Sequence, residues 1–146
     1  MVERMDAGMI TFTIPGSPIP LDRARHGKGK VYDTPRNKSA KRTIGKSGMA
    51  AMVGRKPIQG PVRIRVAFLF EWPKSYTQKR RKACYGNMKD TKPDIDNLAK
   101  MVMDALNGIA YDDDSQVCEI TATKYFSQTE TCTRVMIEPL WRQDDD

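Results

Sequence analysis

Six aspartates and one lysine lie between residues 94 and 114 of a 146-residue chain whose formal net charge is +7. The acids are Asp94, Asp96, Asp104, Asp112, Asp113 and Asp114, and the lysine is Lys100. Carboxylate oxygens are the ligands that hard divalent cations such as Mg2+ prefer. A basic surface around such a group would attract a polyanion. The residue types therefore indicate metal-dependent chemistry on nucleic-acid phosphates.

The spacing of Asp94 and Asp96 suits a chain that is extended at the first residue and helical from the second. On a helix the two side chains would point about 200° apart, whereas in extended backbone they share a face. Asp is a favoured N-cap and Pro93 disfavours helix before it. We therefore expect Asp96 to start a helix, with Lys100 one turn later on the same face.

The helix would run to residue 109, and a short turn would return the chain at Asp114, which opens the next strand. We expect antiparallel packing of the helix on that strand to bring Asp114 towards Asp94 and Asp96. Carboxylates so close repel one another unless a cation compensates their charge, so the whole pattern favours a metal site. Taken singly, the same acids also fit helix caps and solvated turns. That alternative leaves a non-catalytic nucleic-acid-binding module.

Two basic runs flank the acidic segment. Residues 22–56 hold eleven Lys or Arg, and residues 74–92 hold seven. Charge runs are usually solvated surface, but two of them beside a carboxylate cluster favour a phosphate backbone as the partner. The candidate contacts are Arg23, Arg25, Lys28 and Lys30 in the first run and Lys79, Arg80, Arg81 and Lys82 in the second.

Several ring-bearing side chains accompany the basic runs. His26 is the only histidine, and an exposed loop residue or a phosphate contact is a better interpretation for it than a catalytic role. For Trp72, Tyr76 and Tyr85, packing is the preferred interpretation, and stacking on DNA bases is the alternative.

Length and composition indicate one domain, over residues 9–141, between a disordered segment at 1–8 and a disordered acidic tail at 142–146. No apolar run approaches the roughly 20 residues of a membrane helix, and residues 1–9 lack the apolar stretch of a signal peptide. We predict a cytoplasmic protein with no membrane partner and no organic cofactor. The three cysteines, Cys84, Cys118 and Cys132, show no metal-ligand spacing and are expected to be reduced.

Hydrophobic periodicity predicts the order βαβαββ and an α+β fold, a mixed sheet with two main helices packed on it. Alternation predicts strands over residues 9–14, 62–70, 116–126 and 132–138. Helical spacing predicts helices over 35–53, with Thr34 as cap, and 96–109. Residues 15–30 are expected to form a basic loop, and residues 74–92 a long connection that can contain a short helix.

The chain resembles the RusA-type Holliday-junction resolvases, the crossover-junction endodeoxyribonucleases. The matching motifs are Lys92-Pro93-Asp94-Ile95-Asp96-Asn97-Leu98, Lys100, Asp104-Ala105-Leu106-Asn107-Gly108 and Asp113-Asp114-Ser115-Gln116-Val117. Weaker matches are Pro15-Gly16-Ser17-Pro18, Arg23-Ala24-Arg25 and Lys124. The resemblance spans residues 9–138 and is specific over 92–117. Three consecutive aspartates stand here where the pattern has two, and Ser115-Gln116-Val117 fixes the register.

The resemblance implies a homodimer that binds branched DNA, the four-way junction, and cuts two symmetric strands with Mg2+, or Mn2+ as a substitute, in recombination and repair. By position, Asp94, Asp96 and Asp114 would bind the metal and Lys100 would be the essential cation. Asp113 is a further candidate ligand, and Lys124 joins the candidate DNA contacts. A metal-dependent nuclease for other branched DNA or RNA stays open as an alternative.

Overall fold

The computed structural model describes residues 8–22, 25–27 and 29–141, and of residues 25–27 and 30–32 it describes the backbone alone. Its strands are β1 (Ile10–Pro15), β2 (Arg25–Gly27), β3 (Lys30–Tyr32), β4 (Val62–Glu71), β5 (Val117–Ser127) and β6 (Cys132–Pro139). The main sheet has the order β1-β6-β4-β5. β6 pairs antiparallel with both β1 and β4, and β4 pairs parallel with β5. The predicted mixed sheet is confirmed.

The helices are α1 (Pro35–Ala51), α2 (Gln78–Ala83) and α3 (Ile95–Ala105). Ile64 and Phe68 of β4 belong to the same buried cluster as Ile44 of α1 and Leu98 of α3. Because alternate residues of a strand share a face, both long helices cover one face of the sheet. The predicted α+β class is confirmed. α2 is the short helix that we expected within the connection over residues 74–92.

A small antiparallel hairpin, β2 paired with β3, replaces the irregular loop expected before residue 30. Its strands have three residues each and carry no apolar alternation that sequence reasoning could detect. Asn37 of α1, which is fully buried, anchors the chain just before the hairpin. The Asp22 amide donates to Asn37 Oδ1 at 2.9 Å, and Asn37 Nδ2 donates to the Asp22 carbonyl at 3.0 Å. On the other side of the hairpin, Lys41 Nζ lies 2.7 Å from Asp33 Oδ2.

α1 begins as predicted, because the hydroxyl of Thr34 accepts a hydrogen bond from the Asn37 amide at 3.1 Å. Gly45 and Gly48, which weaken an isolated helix, lie on its buried face. A Cβ on Gly48 would stand 2.7 Å from Leu106 Cδ2. The missing side chain therefore lets α1 approach the end of α3.

α3 begins and ends earlier than predicted. Asp94 lies in extended backbone, as predicted, and is the N-cap of the helix. The helix starts at Ile95, one residue before the predicted start, and Asp96 lies in its first turn. Pro93 restricts only the residue before it, which left Asp94 free to take the cap position. The helix stops at Ala105, because the chain then turns through Gly108, whose φ is +76°, and the Gly108 amide donates to the Tyr111 carbonyl at 2.8 Å.

Three smaller predictions can be compared with the structure. Cys84, Cys118 and Cys132 are all free thiols, as expected. The segments 1–7 and 142–146, predicted to be disordered, lie outside the described residues. Within the described ranges, no helix combines the length and the apolar character needed to cross a membrane.

Candidate active site

The N-terminus of α3 carries an exposed pair of carboxylates, Asp94 and Asp96. Lys92 Nζ donates to the Asp94 carboxylate at 2.9 Å. The Asn97 amide donates to Asp96 Oδ1 at 2.9 Å. A helix N-terminus carries partial positive charge and favours anions, and both carboxylates there remain open to solvent.

The segment that leads into α3 is fixed to β5 by Lys124. The Lys124 ammonium donates to the carbonyl of Thr91 at 2.6 Å and to that of Pro93 at 2.8 Å. The Lys92–Pro93 peptide bond between them is cis. Lys124 therefore positions the backbone that carries Asp94. The direct DNA contact of Lys124 that the sequence suggests stays a prediction.

A second pair of carboxyl groups, Asp104 and Asp114, lies at the other end of α3 within hydrogen-bond reach of each other. Burial, and then the hydrogen bond with Asp114, raise the pKa of Asp104. The charges of Lys41 and Lys100 oppose that rise in the pKa of Asp104.

The two pairs are separated by the length of α3. The helix has 11 residues and at 1.5 Å per residue spans about 16 Å. Since α3 runs antiparallel to β5, the start of that strand lies beneath the end of the helix. The expectation that Asp114 returns to Asp94 and Asp96 is therefore wrong within one protomer. Among the side chains that the structure describes, no three of His, Cys, Asp or Glu form a group that could hold a metal ion.

The two aspartates before Asp114 serve the local fold. Asp113 caps the 3-10 turn Asp114–Gln116, and its carboxylate accepts from the Ser115 amide at 3.0 Å. Hydrogen bonds from Ser115 lower the pKa of Asp113. Asp112 Oδ2 accepts from Gln59 Nε2 at 2.9 Å. A ligand role for Asp113, predicted as a candidate, would compete with this cap, and Asp114 alone turns towards Asp104.

Gln116 is the functional residue whose role sequence reasoning missed. Its Oε1 accepts from the amides of Asp112 at 2.8 Å and Asp113 at 3.0 Å. Its Nε2 donates to the carbonyls of Ile58 at 2.8 Å and Gly60 at 2.9 Å. The signal was present, because an Asp followed three residues later by Gln is the spacing of a capping box. Gln116 fixes the loop that carries Asp114.

Lys100 lies on the exposed face of α3, between the two carboxylate pairs. No carboxylate of the described part of the chain lies within ion-pair distance of it. Its ammonium is therefore available to a phosphate at either end of the helix.

Residues 74–92, here named the basic lobe, precede Asp94 directly. Arg80 lies 3.9 Å from the ring centroid of Tyr76, and Arg81 lies 5.4 Å from that of Trp72. Trp72 is itself stacked on Phe126 with the centroids 4.4 Å apart. The packing interpretation is confirmed for Trp72 and Tyr76. It is wrong for Tyr85, whose side chain is 89% exposed.

Of the other candidate DNA contacts, Lys79, Arg80 and Lys82 are exposed on α2 and Arg81 is half-buried. Arg23 and Lys28 lie outside the described residues, as do the side chains of Arg25, His26 and Lys30. The Leu21 amide donates to the Asn97 carbonyl at 3.0 Å. That bond places the approach to the β2–β3 hairpin beside the first turn of α3.

Residues 15–138 match a known protein family, Endodeoxyribonuclease RusA. The chain is also 36% identical over 138 residues to an uncharacterized protein, YqaN, of Bacillus subtilis (strain 168). That alignment covers 88% of this chain and 94% of the relative. The family match includes both carboxylate pairs, Lys100 and the basic lobe.

Proposed function

Since this chain belongs to the RusA endodeoxyribonuclease family, we propose that it is a Mg2+-dependent nuclease that resolves four-way DNA junctions in recombination and repair. The observation that carries the proposal is the exposed pair Asp94 and Asp96 at the positive end of α3, directly after the basic lobe. Cytoplasmic location remains a prediction.

Asp94, Asp96 and Asp114 would hold the metal ion. Their donor chemistry fits, because carboxylate oxygens are the ligands that Mg2+ takes from proteins, and Mn2+ accepts the same donors. When bound, the ion would supply Lewis-acid stabilisation of the charge that develops during phosphodiester hydrolysis. Within the described part of one protomer these acids lie in two separate pairs of carboxyl groups, so we propose that a second copy of the chain completes the site.

β5 offers the surface for that second copy. It is an edge strand of the main sheet, and residues 118–121 have exposed side chains. Beyond them the edge is covered, because Met88 bridges to Tyr125 and the Lys89 amide donates to the Lys124 carbonyl at 3.0 Å. An open strand edge readily pairs with another strand. We therefore expect two copies of β5 to pair antiparallel about a two-fold axis near Ile120.

Such a dimer would set the two α3 helices antiparallel on the same face of a continuous sheet. The N-terminus of one α3 would then lie beside the C-terminus of the other. Asp94 and Asp96 would approach Asp114 of the partner subunit, and two equivalent sites would result. Two sites related by a two-fold axis suit the symmetric cutting of two strands.

Lys100 lies on the face of α3 that such a site would share. A fixed cation there would stabilise the additional negative charge of the phosphate in the transition state. Lys79, Arg80, Arg81 and Lys82 would hold the DNA arms through phosphates, which position the substrate without reading its sequence.

The first test compares labelled four-way junction, linear duplex and flap DNA, each with Mg2+ or with EDTA. We expect symmetric cutting of the junction alone, abolished by EDTA. Asp96→Asn should abolish cutting and retain junction binding, and Asp90→Asn, an exposed acid of the basic lobe, should retain both. Binding without cutting in Mg2+ or Mn2+ would leave a DNA-binding module. Cutting without preference for the junction would indicate a nuclease for other branched DNA or RNA.

The second test asks whether each site is built from two protomers. Asp96→Asn and Asp114→Asn chains, each inactive alone, are mixed under conditions that exchange subunits. A shared site leaves one intact site in each mixed dimer, so the mixture should nick one strand of the junction. Inactivity of a mixture shown to contain heterodimers would place each complete site within one protomer.

A further inference from the structure

Tyr85 is the most exposed of the large apolar side chains in the described ranges, at 89%. Three other aromatic residues, in or packed against the basic lobe, are themselves packed: Trp72 is 7% exposed and Phe126 is 2% exposed, and Tyr76 lies 5.5 Å from Phe126 between ring centroids. The Tyr85 ring therefore contributes little to the packing of the fold, whereas Trp72, Tyr76 and Phe126 pack against one another.

The position of Tyr85 is well defined although its side chain is exposed. The residue begins the 3-10 turn Tyr85–Asn87, where Gly86 and Asn87 have φ values of +57° and +60°. Before the turn, the Cys84 amide donates to the Arg81 carbonyl at 3.2 Å. After it, Met88 bridges to Tyr125 of β5. Both ends of the turn are anchored, so the ring is presented at a fixed tip.

The surroundings of the tip point to nucleic acid. The basic lobe holds seven Lys or Arg against one Asp, and two of its cations, Arg80 and Arg81, are held over aromatic rings at 3.9 and 5.4 Å. An aromatic ring among cations is the arrangement with which proteins stack unpaired bases while they neutralise the backbone. The end of the lobe is the segment that Lys124 fixes, which leads through Pro93 to Asp94, so a base at Tyr85 would belong to DNA close to the carboxylates.

We infer that Tyr85 stacks on a base face exposed at the branch point of the DNA and so contributes to the preference for branched over linear duplex. A continuous duplex offers no free base face along its length, so the ring gains its partner only where base stacking is interrupted. The inference rests on the proposed function and names one residue that distinguishes the substrate.

The experiment measures the affinity of the full chain in EDTA for a four-way junction and for a linear duplex of the same sequence. Tyr85→Phe keeps the ring, Tyr85→Leu keeps the apolar bulk without it, and Val53→Ala is a control at another side chain that is 79% exposed. Loss of one base stack should weaken junction binding by about 5- to 150-fold. We expect that loss for Tyr85→Leu only, with duplex affinity changed less than about twofold.

A second readout uses 5-iodouracil placed at the branch point, with ultraviolet cross-linking and peptide mapping. The cross-link should fall on Tyr85 in the junction and be absent from the duplex. Equal weakening of junction and duplex by Tyr85→Leu, an unchanged junction affinity, or a cross-link elsewhere would overturn the assignment. If the wild-type chain does not prefer the junction, the proposed function fails together with it. If the preference and Mg2+-dependent cutting survive in Tyr85→Leu, only the role of Tyr85 fails.

Discussion

Replacing Gln116 with Leu would remove four hydrogen bonds that hold the loop carrying Asp114. The Gln116 side chain binds two amides and two carbonyls. Of these four bonds only the one to the Ile58 carbonyl, at 2.8 Å, is partly buried. A protein hydrogen bond contributes about 0.5–1.5 kcal/mol net, and water replaces an exposed one at little cost. The partly buried bond should contribute near the top of that range and the other three near the bottom. We therefore expect Gln116→Leu to lower the free energy of unfolding by about 2–3 kcal/mol.

The loss is measured by urea and thermal denaturation. For a chain of this size each kcal/mol lowers Tm by about 2–4 °C, so Gln116→Leu should lower Tm by about 4–12 °C. Gln59→Leu is the matched control, because it removes one exposed bond to the same loop, at 2.9 Å to Asp112, and one exposed bond at 3.3 Å to the Pro57 carbonyl. We expect a change within about 0.5 kcal/mol for Gln59→Leu.

Amide hydrogen exchange locates the effect. In Gln116→Leu the amides of Asp112 and Asp113 lose their acceptor and should exchange faster, while those of β4 should exchange as in the wild type unless unfolding is global. The reasoning is refuted if Gln116→Leu costs no more than Gln59→Leu, or if the two amides remain as protected as before.

Three further predictions concern the supports of the site. Gly48→Ala should be less stable than Gly45→Ala by about 1–3 kcal/mol in urea denaturation, because a Cβ meets Leu106 at 2.7 Å at the first position and Ile109 at 3.4 Å at the second. Equal stabilities would contradict this. Burial raises the pKa of Asp104 in the folded chain above the value of about 3.9 that Asp has in an unfolded chain. Ionisation of Asp104 therefore lowers the free energy of unfolding as the pH rises from about 3.9 through the raised pKa. In EDTA, Asp104→Asn should therefore be more stable than wild type at pH 7 and similar to it near pH 3; a difference independent of pH would argue otherwise. Lys124→Met should lower the cleavage rate more than junction affinity, because it releases the carbonyls of Thr91 and Pro93, whereas Lys79→Met should lower affinity and its salt dependence.

The sequence itself determined the elements that depend on local pattern. The alternation of β4 and the Thr34-Pro35 start of α1 were predicted correctly because a strand face and a helix cap are set by neighbouring residues. The acidic motif around Asp94 indicated the family, which the match over residues 15–138 shows. The strand, the helix cap and the acidic motif are all local in sequence, so they can be identified without knowing the tertiary contacts.

Tertiary structure alone decided how the acids are arranged. The direction of α3 over β5 places Asp114 beside Asp104 and away from Asp94, and that direction follows from the parallel pairing of β4 with β5. It also decided that Tyr85 is exposed while Trp72 is buried, although both are aromatic residues in or beside one basic stretch. Spacing along the chain fixes which residues share an element, but which elements meet depends on sheet order and burial, and these are set by contacts between residues far apart in sequence.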